Sequence, residues 1–335
     1  MNSQPERTVD SVSLNTWQNI VRWFDSEAHN HHVPENPNDE NRISWFRCLP
    51  FLIVHLACFG VLITGVSAVA VIVCLAMFWI RMFAITAFYH RYFSHKSYKT
   101  NRFWQFVFAV MGNMASQRGP LWWAAHHRNH HKHSDEDIDL HSPVKHGFWR
   151  SHIGWFMSEK GFKTDYSVIK DLAKFPELRF LNRFDSLVPI ALAIFMFALG
   201  EFIAAFWPST GTNGWQMLVW GFFISTVLLF HGTFTINSLG HVWGSRRYET
   251  KDHSRNNFWL ALVTLGEGWH NNHHRFAVST RQGFVWWQID ITFYVLKSMS
   301  WLGIVKDLNP VPARIVNEAY GPKAGGTPAN HKRNG

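Results

Sequence analysis

The chain has 335 residues, 18 Trp, 29 Phe and a formal net charge of +9. Three cysteines without a Cys-x-x-Cys pair argue against thiolate metal sites and a disulfide framework. The cationic residues are scattered beside apolar runs, without the compact basic surface that reads nucleic acid. A mean hydropathy of −0.11 resembles that of a soluble protein, yet the average hides long uncharged blocks separated by polar, histidine-rich ones. That segregation predicts a membrane protein whose basic loops face an anionic leaflet.

Residues 1–44 are polar and carry no cleavable signal pattern. Within them Leu14, Trp17, Val21 and Phe24 recur at helical spacing, predicting an amphipathic helix at the membrane surface. The stretch SEAHNHHVPENPNDEN reads as a linker with His29, His31 and His32 in solvent. From Cys48 to Ile80 no charged residue appears. The break Thr64-Gly65-Val66-Ser67 divides that run into spans at 49–67 and 69–89. Arg81 falls inside the second and must face protein or water, with Glu201 as a candidate partner.

Residues 103–114 are too few to span and predict a buried or interfacial helix. Spans three and four are expected at 187–207 and 215–236, joined by the uncharged WPSTGTNG of an outer loop. Residues 284–305 are interrupted by Asp290 and Lys297 and predict interfacial helices. The expectation is an all-α integral membrane domain over 45–310, with four transmembrane helices in two hairpins and a helical cytosolic cap. A flexible tail is expected over 311–335.

Four histidine clusters fall on the same, positive side of those spans. HHRNHH carries His127, His130 and His131, and HNNHH carries His270, His273 and His274; both sets are spaced i, i+3, i+4. On a helix, three such rings share a face, and imidazole is the commonest nitrogen ligand of transition metals. HRYFSH adds His90 and His95, and NSLGH adds Asn237 and His241. Nine histidines exceed what one ion takes, which implies two ions; iron, zinc and copper suit the donor set. His90 and His95 diverge by roughly 140° on a continuous α-helix, so they reach different metals or lie where the helix loosens. Asn237 either holds a metal-bound water or bridges helices. Asp135, Glu136, Asp137 and Asp139 read as acceptors for ring N–H groups or as a solvated acidic turn. One Glu-x-x-His spacing, Glu267 to His270, is too few for a soluble carboxylate di-iron bundle.

HRYFSH, HRNHH, NSLGH and HNNHH, in that order, resemble the integral-membrane fatty acyl desaturases over residues 45–310. HGTFTINSLGHVWGSRRY and TLGEGWHNNHHRF resemble the stearoyl-CoA (acyl-CoA Δ9) type, and its bacterial branch most closely. The resemblance implies two iron ions held by His90, His95, His127, His130, His131, His241, His270, His273 and His274, with Asn237 holding a water. His126, Asp139 and His141 would support the ligands. It also implies O2-dependent removal of two hydrogens from adjacent methylenes of a long-chain acyl thioester or acyl lipid, in a bacterial cytoplasmic membrane, with the active site on the cytoplasmic side. Electrons would come from a separate ferredoxin, cytochrome or reductase, since the chain has no His-Pro-Gly-Gly heme segment and no Gly-rich nucleotide fingerprint.

Ala125, His126, Glu159 and Lys160 stand where the animal acyl-CoA enzymes contact CoA with an Arg-Asp pair and a later basic pair. The CoA head group is therefore the weaker part of the resemblance. Cys74 and Phe78, one helical turn apart in span two, are expected at the floor of the substrate tunnel. The rival readings are a histidine-box hydroxylase of the alkane or sterol type and a metal transporter. The first would make an alcohol; the second would place its ligands at mid-membrane depth.

Overall fold

The computed structural model describes residues 14–28 and 41–321. His29, His31, His32 and the expected tail beyond Gly321 lie outside them. The described residues form helices and no β-strand, apart from isolated bridges. At the N-terminus α1 (Thr16–Val21) closes its first turn with a capping box between Asn15 and Gln18. It is shorter than the expected amphipathic helix, with Trp17 exposed and Phe24 beyond its end.

The apolar helix α2 (Leu49–Thr64) begins the membrane-type region. It is loosened by a tight turn at Cys58–Gly60, and at 1.5 Å per residue it reaches only about 24 Å. Three other helices are long and apolar enough to cross a bilayer: α3 (Ala68–Ser94), and further along α6 (Leu187–Phe206) and α7 (Gly214–Val242). The first of the four expected spans therefore falls short of that length. At the break between α2 and α3, Gly65 takes a left-handed φ of 69° and Ser67 caps α3 through Ala70 N–H.

That break lies against the loop before α7. Ser67 Oγ is 2.7 Å from Thr212 Oγ1, and Gln216 Nε2 donates to Thr64 O at 2.9 Å. With the N-termini of α3 and α7 together, their C-terminal ends, carrying His90 and His241, come together roughly 30–40 Å away. Arg81 is fully buried between these helices, as expected, but Glu201 is not its partner. Its guanidinium donates to Thr226 Oγ1 at 2.7 Å and Ser225 Oγ at 2.6 Å, while Glu201 accepts from Gly214 N–H.

Between the spans, α4 (Arg102–Asn113) is the expected short helix, packed by a Phe88–Phe108 stack with ring centroids 3.9 Å apart. It leads into α5 (Pro120–His133), which carries the central histidines. After α7 come α8 (His270–Arg275) and α9 (Ile291–Trp301). Asp290, read in the sequence as an interruption, caps α9 through Phe293 N–H. Trp286, Trp301 and Leu302 are exposed around it.

The flexible tail does not begin at residue 311. α10 (Ala313–Tyr320) is ordered because Ile315 and Val316 bury themselves against Tyr248 and Phe284. Tyr248 also donates to Ile315 O at 2.9 Å.

Close packing between α3 and α4 sets where His90 stands. A Cβ added at Gly112 would lie 2.0 Å from Cε1 of Tyr89, the buried neighbour of His90. Gly112→Ala is expected to cost about 1–3 kcal/mol through overpacking, and to lower the metal content of the folded fraction. Thermal unfolding in detergent and metal analysis check both.

Candidate metal centre

The end of α3 solves the problem posed by the five-residue spacing of His90 and His95. Residues Ala84–Ser94 form a π-helix, and His95 N–H donates to His90 O at 3.2 Å. A π-helix repeats at i, i+5, so both imidazoles face the same way. They join His127, His131 and His273 in one cluster. His130, His241, His270 and His274 form a second. Within each cluster the ligand nitrogens all lie within 4.8 Å of one another. The nine expected histidines are thus brought together as five and four.

Helix periodicity performs the division. His127 and His131 are one turn apart on α5 and serve the first cluster, while His130 between them serves the second. On α8 the roles reverse: His270 and His274 serve the second cluster and His273 the first.

The ring nitrogens face one another at hydrogen-bond distance. Nε2 of His90 and His273 are 3.0 Å apart, of His95 and His127 2.7 Å, of His131 and His273 2.9 Å, and of His241 and His270 3.1 Å. Several rings commit their Nδ1–H outward to carboxylates. His130 bonds Asp139 at 2.9 Å, His241 bonds Asp135 at 3.0 Å, His274 bonds Asp252 at 2.6 Å, and His90 Nδ1 lies 2.5 Å from Glu267. A neutral imidazole whose Nδ1–H is donated presents a bare lone pair at Nε2. His274 Nε2 is buried in its cluster with no hydrogen-bond partner among the described residues. Burial, reinforced by the neighbouring imidazoles, holds His95, His127, His131, His270 and His273 well below the usual histidine value. His274 falls to about 4 for the same reason, its Asp252 partner opposing. Burial also opposes charging of His130, but Asp139 outweighs it and holds that ring's pKa up. At the six rings held down, lone pairs converge without readily taking protons, which fits a bound cation in each cluster.

The carboxylates that orient the rings were only partly legible. Asp139 lies 2.9 Å from His130 Nδ1, and Asp135 lies 3.0 Å from His241 Nδ1 and also receives His253 N–H at 2.7 Å. Burial raises the Asp135 and Asp139 carboxyls, but their histidine partners more than reverse this and hold both well below the usual range. Glu136 and Asp137 instead pair at the surface with His133 and Lys145. Asp252 was missed, because an aspartate in the basic loop GSRRYETKDHSRNN carries no spacing signal. Glu267 was noticed only as half of an absent carboxylate motif. Its carboxylate lies between His90 and fully buried Arg91, 3.1 Å from the latter. Gly266 makes this possible: its φ is 127°, and a Cβ there would meet Asp290 Oδ1 at 2.5 Å.

His141 stacks on His130 with ring centroids 4.3 Å apart and reaches Asp139 at 3.4 Å. His126 touches no ligand; it bonds Lys163 O and packs between Trp122 and Trp155. Asn237 lines a cavity of about 40 Å³ with His90, His127, His130 and His270. The walls Trp123, His127, Thr233 and Asn237 are shared with an apolar groove of about 580 Å³ that runs between α2, α6 and α7. Cys74 and Phe78 are buried in the helix core and line neither cavity.

Asp252→Asn removes the acceptor that orients His274. It should weaken the ion of the four-histidine cluster by about 10–100-fold and leave the other unchanged, as read by chelator competition. Stripped of metal, the protein should lose stability as pH falls from 6.5 towards 4. Folded His126 and His274 titrate at about 4 against a usual 6.5. The unfolded chain therefore binds more protons in that window, and stability present above 6.5 is withdrawn on acidification. A metal-free melting temperature unchanged between those limits would contradict this.

The fatty acid desaturase family model matches residues 66–300. An sn-1 stearoyl-lipid 9-desaturase of Anabaena variabilis is 36% identical over 270 residues, 80% of this chain and 94% of the relative. An sn-1 stearoyl-lipid 9-desaturase of Synechocystis sp. is 39% identical over 237 residues, 70% of each chain. An acyl-CoA C20 Δ5-desaturase of Anemone leveillei is 38% identical over 247 residues, 72% of this chain and 74% of the relative. With its histidines gathered into two clusters beside membrane-type helices, the chain belongs to the fatty acid desaturase family and is an oxidoreductase of lipid metabolism.

Proposed function

We propose that the protein introduces a cis double bond, at Δ9, into a saturated acyl chain esterified in a membrane lipid. The observation that carries this reading is the continuity between the apolar groove and the cavity walled by both histidine clusters. The printed names of the relatives include acyl-lipid and acyl-CoA enzymes alike. Two features favour the lipid over the acyl-CoA expected from the motifs. The groove is lined by Ile53, Ile190 and Ile194, which are themselves exposed on the helix faces that would meet lipid. Glu159 stands where a basic residue would meet CoA phosphate, and it is occupied by Arg22 and Arg47.

In this reading α2 completes a set of four spans, the histidine clusters face the cytoplasm, and the membrane is a bacterial cytoplasmic one. The nine histidines hold two iron ions, which supply O2 reduction and hydrogen abstraction when bound, with electrons from a separate ferredoxin, cytochrome or reductase. The chain's own contribution is positional. Phe51, Phe230 and Phe234 line the groove along the acyl chain, keep water out and leave it few ways to lie. Trp123, Thr233 and Asn237 line both cavities; in this reading the first two meet the methylenes at the ligand shell and Asn237 holds a water. Phe222 and Phe223, about ten residues deeper on α7 than Thr233, replace Cys74 and Phe78 as the gauge of chain length.

Expression in a host lacking desaturases should yield monounsaturated lipids with the bond at carbon 9 from the carboxyl end. His130→Ala and His273→Ala should each abolish the product. A hydroxylated chain would refute the reading. Phe223→Ala should move the product profile towards longer chains without moving the bond, as read by mass spectrometry of the cleaved alkenes. Turnover by purified protein with NADH and no other protein would contradict the external donor.

A further inference from the structure

Where α2 and α6 begin, the groove acquires a buried polar collar. Arg22, Arg47, Arg118 and Asp185 line it, and Glu159 stands behind them. Arg22 and Arg47 are each 5% exposed and Asp185 8%, so these charges sit under the apolar lip of the groove and away from bulk water. Arg22 reaches Glu159 at 2.6 Å and Arg47 reaches the same oxygen at 3.1 Å. Arg118 Nε lies 3.2 Å from Asp185 Oδ2, without the alignment of a hydrogen bond. The Phe162 ring is flanked by two guanidiniums, with Arg47 4.1 Å and Arg118 5.2 Å from its centroid.

The collar is under-neutralised. Among the described residues, three guanidiniums, two of them buried and Arg118 partly exposed, share two carboxylates, which leaves one positive charge in excess. Nε of Arg22, Arg47 and Arg118 each lack a hydrogen-bond acceptor among the described residues. Burial, reinforced by Arg118 and Arg22 against the pull of Glu159 and Asp185, brings Arg47 down to about 9. An uncompensated buried charge is costly unless a ligand completes it, and guanidinium donors match phosphate oxygens.

We propose that this collar binds the phosphodiester of a glycerophospholipid carrying one negative charge, such as phosphatidylglycerol, while one of its acyl chains runs down the groove to the histidine clusters. The proposal rests on the acyl-lipid reading above and narrows it to one head-group charge. Depth fits the assignment: Arg47 and Asp185 each stand two residues before the first residue of α2 and α6, where apolar runs give way to polar chain. Charge fits it as well. A neutral galactolipid would leave the extra guanidinium unpaired, and the several phosphates of acyl-CoA would bring more negative charge than the collar can balance.

Native mass spectrometry of the full-length holoprotein in detergent tests this. Dipalmitoyl phosphatidylglycerol, monogalactosyl diacylglycerol and palmitoyl-CoA are titrated separately against the parent, Arg47→Gln and Arg118→Gln. The parent should bind the phosphatidylglycerol at least tenfold more tightly than either of the others, and each variant should lose most of that preference. Equal binding of the galactolipid, or tighter binding of palmitoyl-CoA, overturns the proposal from the parent protein alone, whether or not the variants fold. Retention of the preference in both folded variants overturns it too. Head-group-resolved lipid analysis after expression separates the two levels of inference. Double bonds spread evenly over head groups sink the collar and leave the acyl-lipid reading standing, whereas double bonds found only in acyl-CoA sink that reading itself.

Discussion

Everything in the cap follows from keeping imidazole lone pairs pointed inward. Seven of the nine rings have their Nε2 atoms a hydrogen bond's length from another ring's Nε2, an arrangement that a cation in the middle of each cluster would stabilise. The outer carboxylates Asp135, Asp139, Asp252 and Glu267 prevent the rings from turning away, because each fixes a donor on the far side of an imidazole. Those carboxylates are anchored in turn. Ser142 donates to Asp135 at 2.6 Å, Ser254 N–H to Asp252 at 2.9 Å, and Arg91 to Glu267. The site is therefore held from outside, and its helices serve as rigid mounts.

The membrane helices impose the second constraint. Contacts at Ser67–Thr212 and Thr64–Gln216 bring the N-termini of α3 and α7 together, so the histidines at their far ends converge. Arg81 contributes there as a hydrogen-bond donor to Ser225 and Thr226 and joins the same two helices, with no counter-ion among the described residues. The groove that opens beside them is apolar for most of its length, polar at its collar and lined by ligand-bearing helices at its inner wall. That sequence of surfaces matches a lipid from tail to head.

Much of this was legible in the residues because helix periodicity is a local property. The i, i+3, i+4 spacing on α5 and α8 announced ligand faces, and the uncharged run from Cys48 to Ile80 announced membrane-type helices. The separation into five and four was not legible. It depends on the π-helix at Ala84–Ser94, and no short-range pattern marks a change from i+4 to i+5 bonding. Long-range partners were equally hidden: Asp252 and Glu267 act on rings that other segments of the chain bring to them. The expected tunnel floor was placed by distance along one helix, whereas the groove runs between three, and Cys74 and Phe78 do not line it. α10 was taken for tail because its short apolar face, Ile315 and Val316, gains meaning only against Tyr248 and Phe284.

The claim on which the rest depends is that the two clusters are two metal sites. Crystals of iron-loaded protein, with anomalous scattering recorded at the iron edge, test it most directly. The account requires two separate peaks, one enclosed by His90, His95, His127, His131 and His273 and the other by His130, His241, His270 and His274. A single peak shared between the clusters, or iron bound elsewhere with the histidines hydrogen-bonded among themselves, would contradict it.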